Sequence, residues 1–254
     1  MNTNSNTYTI IYTTIIVSLV AAILAFVSQA LKSKQEANEK ADTISQMMTA
    51  AQFATKADLQ KMGNTAVLAK YDEEIAQAFT VGTDGKKIAD LDLKSVYSPK
   101  DLKKQNYNIK GGSNAEIPVF IFKNGVTVVP VYGAGLWGPV WGYIAFEPAS
   151  STIKGAYFDH ESETAGLGAK IKDDPEFQAE FAGENADFAN ANVFDIVKGG
   201  APKNADGTSV IDNKIDAITG ATMTSNGLDA AIDTWLGAYS AYFKGIAANK
   251  TEEE

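Results

Sequence analysis

The chain has 254 residues, enough for one large domain or two small ones, and its 45% hydrophobic and 21% charged residues are those of a globular protein. A net charge of −9, with 22 Lys+Arg and no basic cluster, argues against nucleic acid as a partner, because phosphates demand a basic face. With no cysteine and one histidine, His160, the chain itself cannot ligate an iron–sulfur cluster, build a Cys/His zinc site, form a disulfide or supply a thiol nucleophile, so any redox chemistry here needs an organic cofactor.

Tyr8 to Leu31 is a run of 24 residues without a charge. As a helix it spans roughly 36 Å, more than a bilayer core of about 30 Å. A cleaved signal peptide is the competing reading, with Ser28-Gln29-Ala30 as a faint cleavage site. Such peptides have a basic start and a shorter apolar run, and residues 1–7 contain no Lys or Arg. Residues 1–31 are therefore expected to be a retained membrane anchor. Lys32, Lys34 and Lys40 follow the span, so the positive-inside count taken alone places the rest of the chain in the cytoplasm.

Residues 32–80 are expected to form a helical connector leading from the membrane. Ala, Gln, Glu, Lys and Met dominate from Lys34 to Phe79, Met47, Ala51, Ala54 and Ala57 fall on helical spacing, and Gly63-Asn64 mark a break. The third segment, 81–250, changes character. Short apolar runs at 119–122, 126–129, 140–146, 152–158 and 193–197 read as strands, with Lys123-Asn124-Gly125 as a hairpin turn. A helix is expected over 174–188, starting near Pro175. Another begins at Thr224, with Leu228, Ala231, Ile232, Trp235, Leu236, Tyr239 and Phe243 on one face and Thr224 or Ser225 as its cap.

Three segments could carry chemistry. Asp216-Ala217-Ile218-Thr219-Gly220-Ala221-Thr222-Met223-Thr224-Ser225 places four hydroxyls on a turn that opens a helix. Such a turn offers amides and a favourable dipole end to a phosphate; surplus threonines at an ordinary cap are the plainer explanation. In Tyr132-Gly133-Ala134-Gly135-Leu136-Trp137-Gly138-Pro139, the glycines either join two strands around a core Trp137 or hold Leu136 and Trp137 against a flat ring. His160-Glu161-Ser162-Glu163-Thr164-Ala165-Gly166-Leu167-Gly168 sets one histidine among carboxylates, most simply a surface hydrogen-bonding group, without the second histidine a metal site wants.

The first string resembles the attachment motif of the FMN-binding domain family of bacterial respiratory subunits: an aspartate, two variable residues, then Ser/Thr-Gly-Ala-Thr. The resemblance implies FMN esterified through its phosphate to Thr222 by a separate flavin transferase. Asp216, Ile218, Thr219, Gly220, Ala221, Met223, Thr224 and Ser225 would surround the attachment point. The family's Gly-Leu-Trp loop lies beside the flavin, which assigns Leu136 and Trp137 there. Its His-x-Glu-Thr-x-Gly-Leu-Gly segment contacts the flavin and ribityl chain, which assigns Glu163, Thr164, Gly166, Leu167 and Gly168. This chain has one extra residue between His160 and Glu163, so His160 is not carried over. Lys198, in Lys198-Gly199-Gly200-Ala201, is assigned to offset the phosphate charge.

The fold so implied is α+β: an N-terminal transmembrane helix, then a mostly antiparallel sheet with flanking helices. The implied function is electron carriage within an inner-membrane complex that oxidises NADH, reduces quinone and exports Na+. No catalytic group or metal of the chain's own is expected, and the partners are the membrane, sister subunits and the transferase. Family members hold the flavin domain on the periplasmic side, against the lysine count. Two alternatives remain: the equivalent member of an Rnf-type ferredoxin:NAD complex, and a flavin-free tethered binding or assembly domain using Trp137 and Trp141.

Overall fold

The computed structural model describes residues 5–112, 114–204, 210 and 212–253, with side chains described up to 248. The chain divides into two units, one up to Lys40 and one from Ala41 onward. The first unit is the leading part of a long helix, α1 (Asn6–Ala50). None of its most apolar stretch is buried, and by length and composition the helix is able to cross a membrane.

The second unit is built on a six-stranded antiparallel sheet. Its strands are β1 (Ile75–Val81), β2 (Lys87–Asp90), β3 (Ile117–Phe122), β4 (Thr127–Ala134), β5 (Pro139–Phe146) and β6 (Ile153–His160), in the order β2-β1-β3-β4-β5-β6. Both faces are covered, which is why β3 and β4 read as continuous apolar runs rather than alternating ones. On one face Val119, Val129, Val131, Ile144, Phe146 and Phe158 pack with Leu102 of α4 (Pro99–Lys110) and with Leu228, Ile232, Trp235 and Tyr239 of α7 (Thr222–Glu253). On the other, Phe120, Phe122, Val128, Tyr143 and Ala145 meet Ile44, Met47 and Met48 of α1, Leu59 of α2 (Lys56–Met62) and Val67 and Tyr71 of α3 (Asn64–Glu74). Successive side chains of a strand point to opposite faces, so the two cores share β3, β4 and β5. The expected α+β class and mostly antiparallel sheet are what the structure has. A short parallel pair, β7 (Asp195–Val197) with β8 (Lys214–Asp216), adds to it.

Four expectations need correction. Residues 41–80, read as a connector, belong to the folded unit because their apolar side chains cover a face of the sheet. The helix expected from Lys34 to Phe79 is three helices and a strand: α1 ends where Gln52 takes φ of 59° and Phe53 N–H bonds back to Met48 O, and 75–81 pairs with β2 and β3 despite its helix-prone alanines and glutamine. The helix expected over 174–188 is only α6 (Pro175–Ala179), preceded by α5 (Lys170–Asp173). Gly183 has φ of 93° and its N–H bonds to Ile153 O, and Ile153 N–H bonds to Glu184 O, so this stretch is held to the start of β6 rather than following a helix axis. Finally, α7 begins at Thr222, two residues before the expected cap.

The β3–β4 turn forms as read, with Gly125 at φ of 82° and its N–H donated to Phe122 O. The β4–β5 hairpin pairs Ala134 with Pro139, so Gly135-Leu136-Trp137-Gly138 is its tip, closed by Gly135 N–H to Gly138 O at 2.8 Å.

Candidate flavin site

Three segments distant in sequence meet at the N-terminus of α7 around a cavity of about 410 Å³. The β4–β5 tip supplies Leu136 and Trp137. The segment after β6 supplies Glu163, Thr164, Leu167 and Gly168. The helix start supplies Gly220 to Thr224. The volume lies within the range of small-molecule sites.

Glu163 joins the three. It is 8% exposed, and one carboxylate oxygen accepts Trp137 N–H at 2.9 Å while the other accepts the Thr224 hydroxyl at 2.6 Å. The Ser162 hydroxyl adds a second tie by donating to Trp137 O at 3.0 Å. Two glycines make room for this clamp. A Cβ on Gly135 would lie 2.4 Å from Glu163 Oε1, and one on Gly168 would lie 2.4 Å from both Glu163 Oε2 and Thr224 Oγ1. Side chains in either place would push the carboxylate out of its bonds.

The helix start is set up by local bonds. Ala221 N–H bonds to Ile218 O, the first intrahelical bond runs from Ser225 N–H to Ala221 O, and the Ser225 hydroxyl accepts Ile218 N–H at 3.2 Å. Gly220 takes φ of 82°, which lets the chain turn sharply into α7. Thr224 and Ser225 are buried and tie the turn down, while half-buried Thr222 faces the cavity. Among the described residues no hydrogen bond occupies the Thr222 hydroxyl. The first amides of any helix lack intrahelical acceptors, and the first turn of α7 carries no Asp or Glu to offset the dipole. An anionic group at Thr222 thus meets amides and a positive dipole end, while the one carboxylate among the described lining residues, Glu163, is engaged by the Trp137 amide and the Thr224 hydroxyl.

The rim is apolar and open. Trp137 is 67% exposed and Met223 61%, with Leu136 and Leu167 close to half exposed. Such large exposed apolar side chains around one cavity mark a binding surface, and Trp137 is not the core residue that a plain strand connector would make it. A flat aromatic ring with a phosphorylated tail fits this donor set: apolar walls for the ring, and amides and a hydroxyl for the phosphate.

Not every expected site residue lies there. Ile218 is 8% exposed and sits in the core beneath the turn. Thr219 and Gly166 are exposed but do not line the cavity; Gly166, at φ of 74°, shapes the turn in which Thr164 O accepts Leu167 and Ala169 N–H. Asp216 turns its carboxylate to Ala201 N–H and to Lys203 Nζ at 3.3 Å, so it braces the Gly199-Gly200 turn at the end of β7. Lys198 is exposed and lines no part of the cavity. Gly227 was not singled out in the sequence, yet its Cβ position lies 2.2 Å from Ala134 O, so it lets α7 press directly on the hairpin. A larger cavity, about 840 Å³, opens between the end of α1, α2, β6 and α6. It holds none of these residues, and its cations Lys56 and Lys172 are already paired with Asp42 and Asp159.

Residues 135–237, which span the hairpin tip, the segment after β6 and the start of α7, match the model of the FMN-binding domain family. The chain is also similar to the NqrC proteins of Na+-translocating NADH-quinone reductases. NqrC from Vibrio campbellii is 34% identical over 124 residues, 47% of this chain and 45% of the relative. NqrC from Vibrio parahaemolyticus is 28% identical over 224 residues, 82% and 81% of the two chains. The crystal structure of NqrC from Parabacteroides distasonis superposes with a TM-score of 0.66 at 29% identity, covering 84% of this chain and 96% of that one. The alignment with the Vibrio campbellii protein thus spans a little under half of that relative's length.

Proposed function

We propose that this chain is a membrane-anchored electron carrier of a Na+-translocating NADH:quinone reductase, and that it holds FMN through a phosphoester to Thr222 Oγ1. The observation that carries the reading is the half-buried Thr222 on the first turn of α7, facing the same cavity as Trp137, Leu167 and the Glu163 clamp. The similarity to NqrC over 84% of the chain supports the complex. The flavin, when bound, supplies the redox chemistry.

The chain's own residues bind and orient it. The amides and dipole of α7 stabilise the phosphoester's negative charge. Leu136, Trp137, Leu167 and Met223 line the cavity and would shield part of the ring from water. A covalent tether keeps the carrier loaded even when one oxidation state binds weakly.

The partners in this reading are the membrane, sister subunits A, B, D, E and F, and a flavin transferase for maturation. No nucleic acid is involved. The flavin domain is assigned to the periplasmic side of the inner membrane, where the transferase acts, and three lysines after the span are a weak opposing bias.

On a denaturing gel, protein co-expressed with the transferase should fluoresce under ultraviolet light, and Thr222→Val should be dark. The intact mass of the peptide containing Thr222 should carry one FMN. A fluorescent band in Thr222→Val removes Thr222 as the attachment point, and a dark wild-type band removes covalent attachment altogether. Protease digestion of the folded unit in intact spheroplasts tests the periplasmic assignment, and full protection would reverse it.

A further inference from the structure

A second, buried polar system lies behind the clamp. Gln46, on the last turns of α1, is 2% exposed. Its Oε1 accepts Trp141 Nε1–H at 3.2 Å, and its Nε2 donates to Asp42 Oδ2 at 2.8 Å and to Asp159 Oδ2 at 3.0 Å. The amide has one workable orientation, because an indole only donates and a carboxylate only accepts. Asp159 is 4% exposed, at the end of β6 opposite Trp141 in the β5–β6 register. Its Oδ1 accepts His160 N–H at 2.7 Å and Lys172 Nζ at 2.8 Å. The next bond runs from Glu163 N–H to His160 Nδ1 at 3.1 Å, and Glu163 is the residue that holds Trp137 and Thr224.

We propose that Gln46, Asp159 and His160 are positioning residues for the flavin site: together they fix the backbone of Glu163, and through it the Trp137 loop and the start of α7. The proposal rests on the flavin reading above. None of the three residues lines the cavity, so they act through Glu163 rather than on the cofactor. Packing alone does not account for them. A buried carboxylate and amide are costly unless every bond is made, and apolar side chains would fill the same space without that cost. What the polar chain supplies is direction. Each member has one orientation that satisfies its neighbours, and the last member sets the oxygens that hold two walls of the cavity.

His160 is half-buried and is the link best suited to substitution, since its loss leaves no large hole. In the full-length protein matured with the transferase, His160→Ala removes the acceptor for Glu163 N–H. His160→Asn keeps a side-chain acceptor of similar reach. The alanine variant should retain wild-type FMN content, show a shifted flavin midpoint potential, and lose visible circular dichroism of the flavin. The asparagine variant should restore both signals towards wild type. Asp159→Asn, whose NH2 must face a donor on one side, either Gln46 Nε2 or His160 N–H and Lys172 Nζ, should shift them in the same direction as His160→Ala.

In parallel, amide hydrogen exchange on flavin-free protein should be faster at Trp137 and Glu163 in His160→Ala, with the rest of the sheet unchanged. The proposal is overturned if His160→Ala keeps the wild-type potential, dichroism and Trp137 exchange, or if His160→Asn behaves like His160→Ala. A wild-type protein without flavin would sink the proposed function instead, and the exchange experiment would still decide this one.

Discussion

Glu163 Oε2 and Thr224 Oγ1 lie 2.6 Å apart in a buried contact between residues 61 positions apart in sequence, and Glu163 Oε1 takes the Trp137 amide. One side chain therefore holds the hairpin tip and the helix start in register. Glu163→Ala should cost about 1.5–3 kcal/mol, the range for hydrogen bonds to a charged group. Glu163→Gln should cost less, since one oxygen remains and the Thr224 hydroxyl can rotate to accept. Urea unfolding of the two variants checks this, and an alanine variant as stable as wild type would show that the clamp does not contribute to the fold.

Glycines inside α7 should respond to alanine with opposite signs. In an exposed helix interior Gly→Ala is favourable by roughly 0.8–1 kcal/mol. Gly237 is exposed with nothing within 4 Å of its Cβ position, so Gly237→Ala should stabilise by about that much. At Gly227 the new methyl would meet Ala134 O at 2.2 Å, a backbone atom that moves only with β4. Gly227→Ala should therefore destabilise, by about 1–3 kcal/mol as other overpacking changes do. Melting temperatures moving in the same direction for the two variants would refute the close-approach account.

Trp235 is fully buried, and its Nε1–H donates to Asn106 Oδ1 at 3.1 Å, tying α7 to α4. Trp235→Phe leaves that oxygen buried without its donor, at a cost of about 1–3 kcal/mol. Trp235→Phe combined with Asn106→Leu should recover part of the loss, because both polar partners are then gone. A double-mutant cycle measures this, and strictly additive losses would mean that the pair is not coupled.

The α+β class and the antiparallel sheet were legible in the sequence, as was the grouping of three segments that meet at one cavity; several element boundaries were not. Gly220-Ala221-Thr222, Leu136-Trp137 and Thr164 to Gly168 are contiguous in sequence and chemically distinctive, and the structure brings members of all three to one cavity. What the sequence hid depends on partners far along the chain. Ile75 to Val81 carries helix-prone residues, yet its place between β2 and β3 makes it a strand, a tertiary override of local propensity. The end of α1 falls at Gln52 in a left-handed conformation, where no glycine announces it. Asp216, Lys198 and Thr219 lie in the stretches singled out but do not line the cavity, and the Asp216 carboxylate is held by Ala201 N–H and Lys203. The Gln46–Asp159 contact spans 113 positions, and no local pattern signals it.

The last prediction concerns pH. Asp229 and Asp233, one turn apart on α7, lie with Asp195 in a cluster whose carboxylate oxygens are within 4.8 Å of one another. Asp229 accepts Ile196 N–H at 2.7 Å, and Asp233 accepts Val193 and Phe194 N–H, so the pair fastens the β7 segment to the helix. Burial is the main cause pushing both carboxyls above the usual range. Neighbouring Asp charges add to the shift and the backbone donors offset part of it. With the folded value raised, the folded protein keeps protons that the unfolded chain gives up above about pH 3.9. The stability this contributes is fully present below that pH and is lost as pH rises through the raised values. Asn at either position retains an oxygen for the β7 amides without the charge. Asp229→Asn and Asp233→Asn should therefore gain stability relative to wild type at pH 7, and the gain should shrink as pH falls to 4. Chemical unfolding of wild type and both variants at the two pH values tests this. A gain that is equal at both, or larger at pH 4, would mean that these carboxylates are not strained by burial.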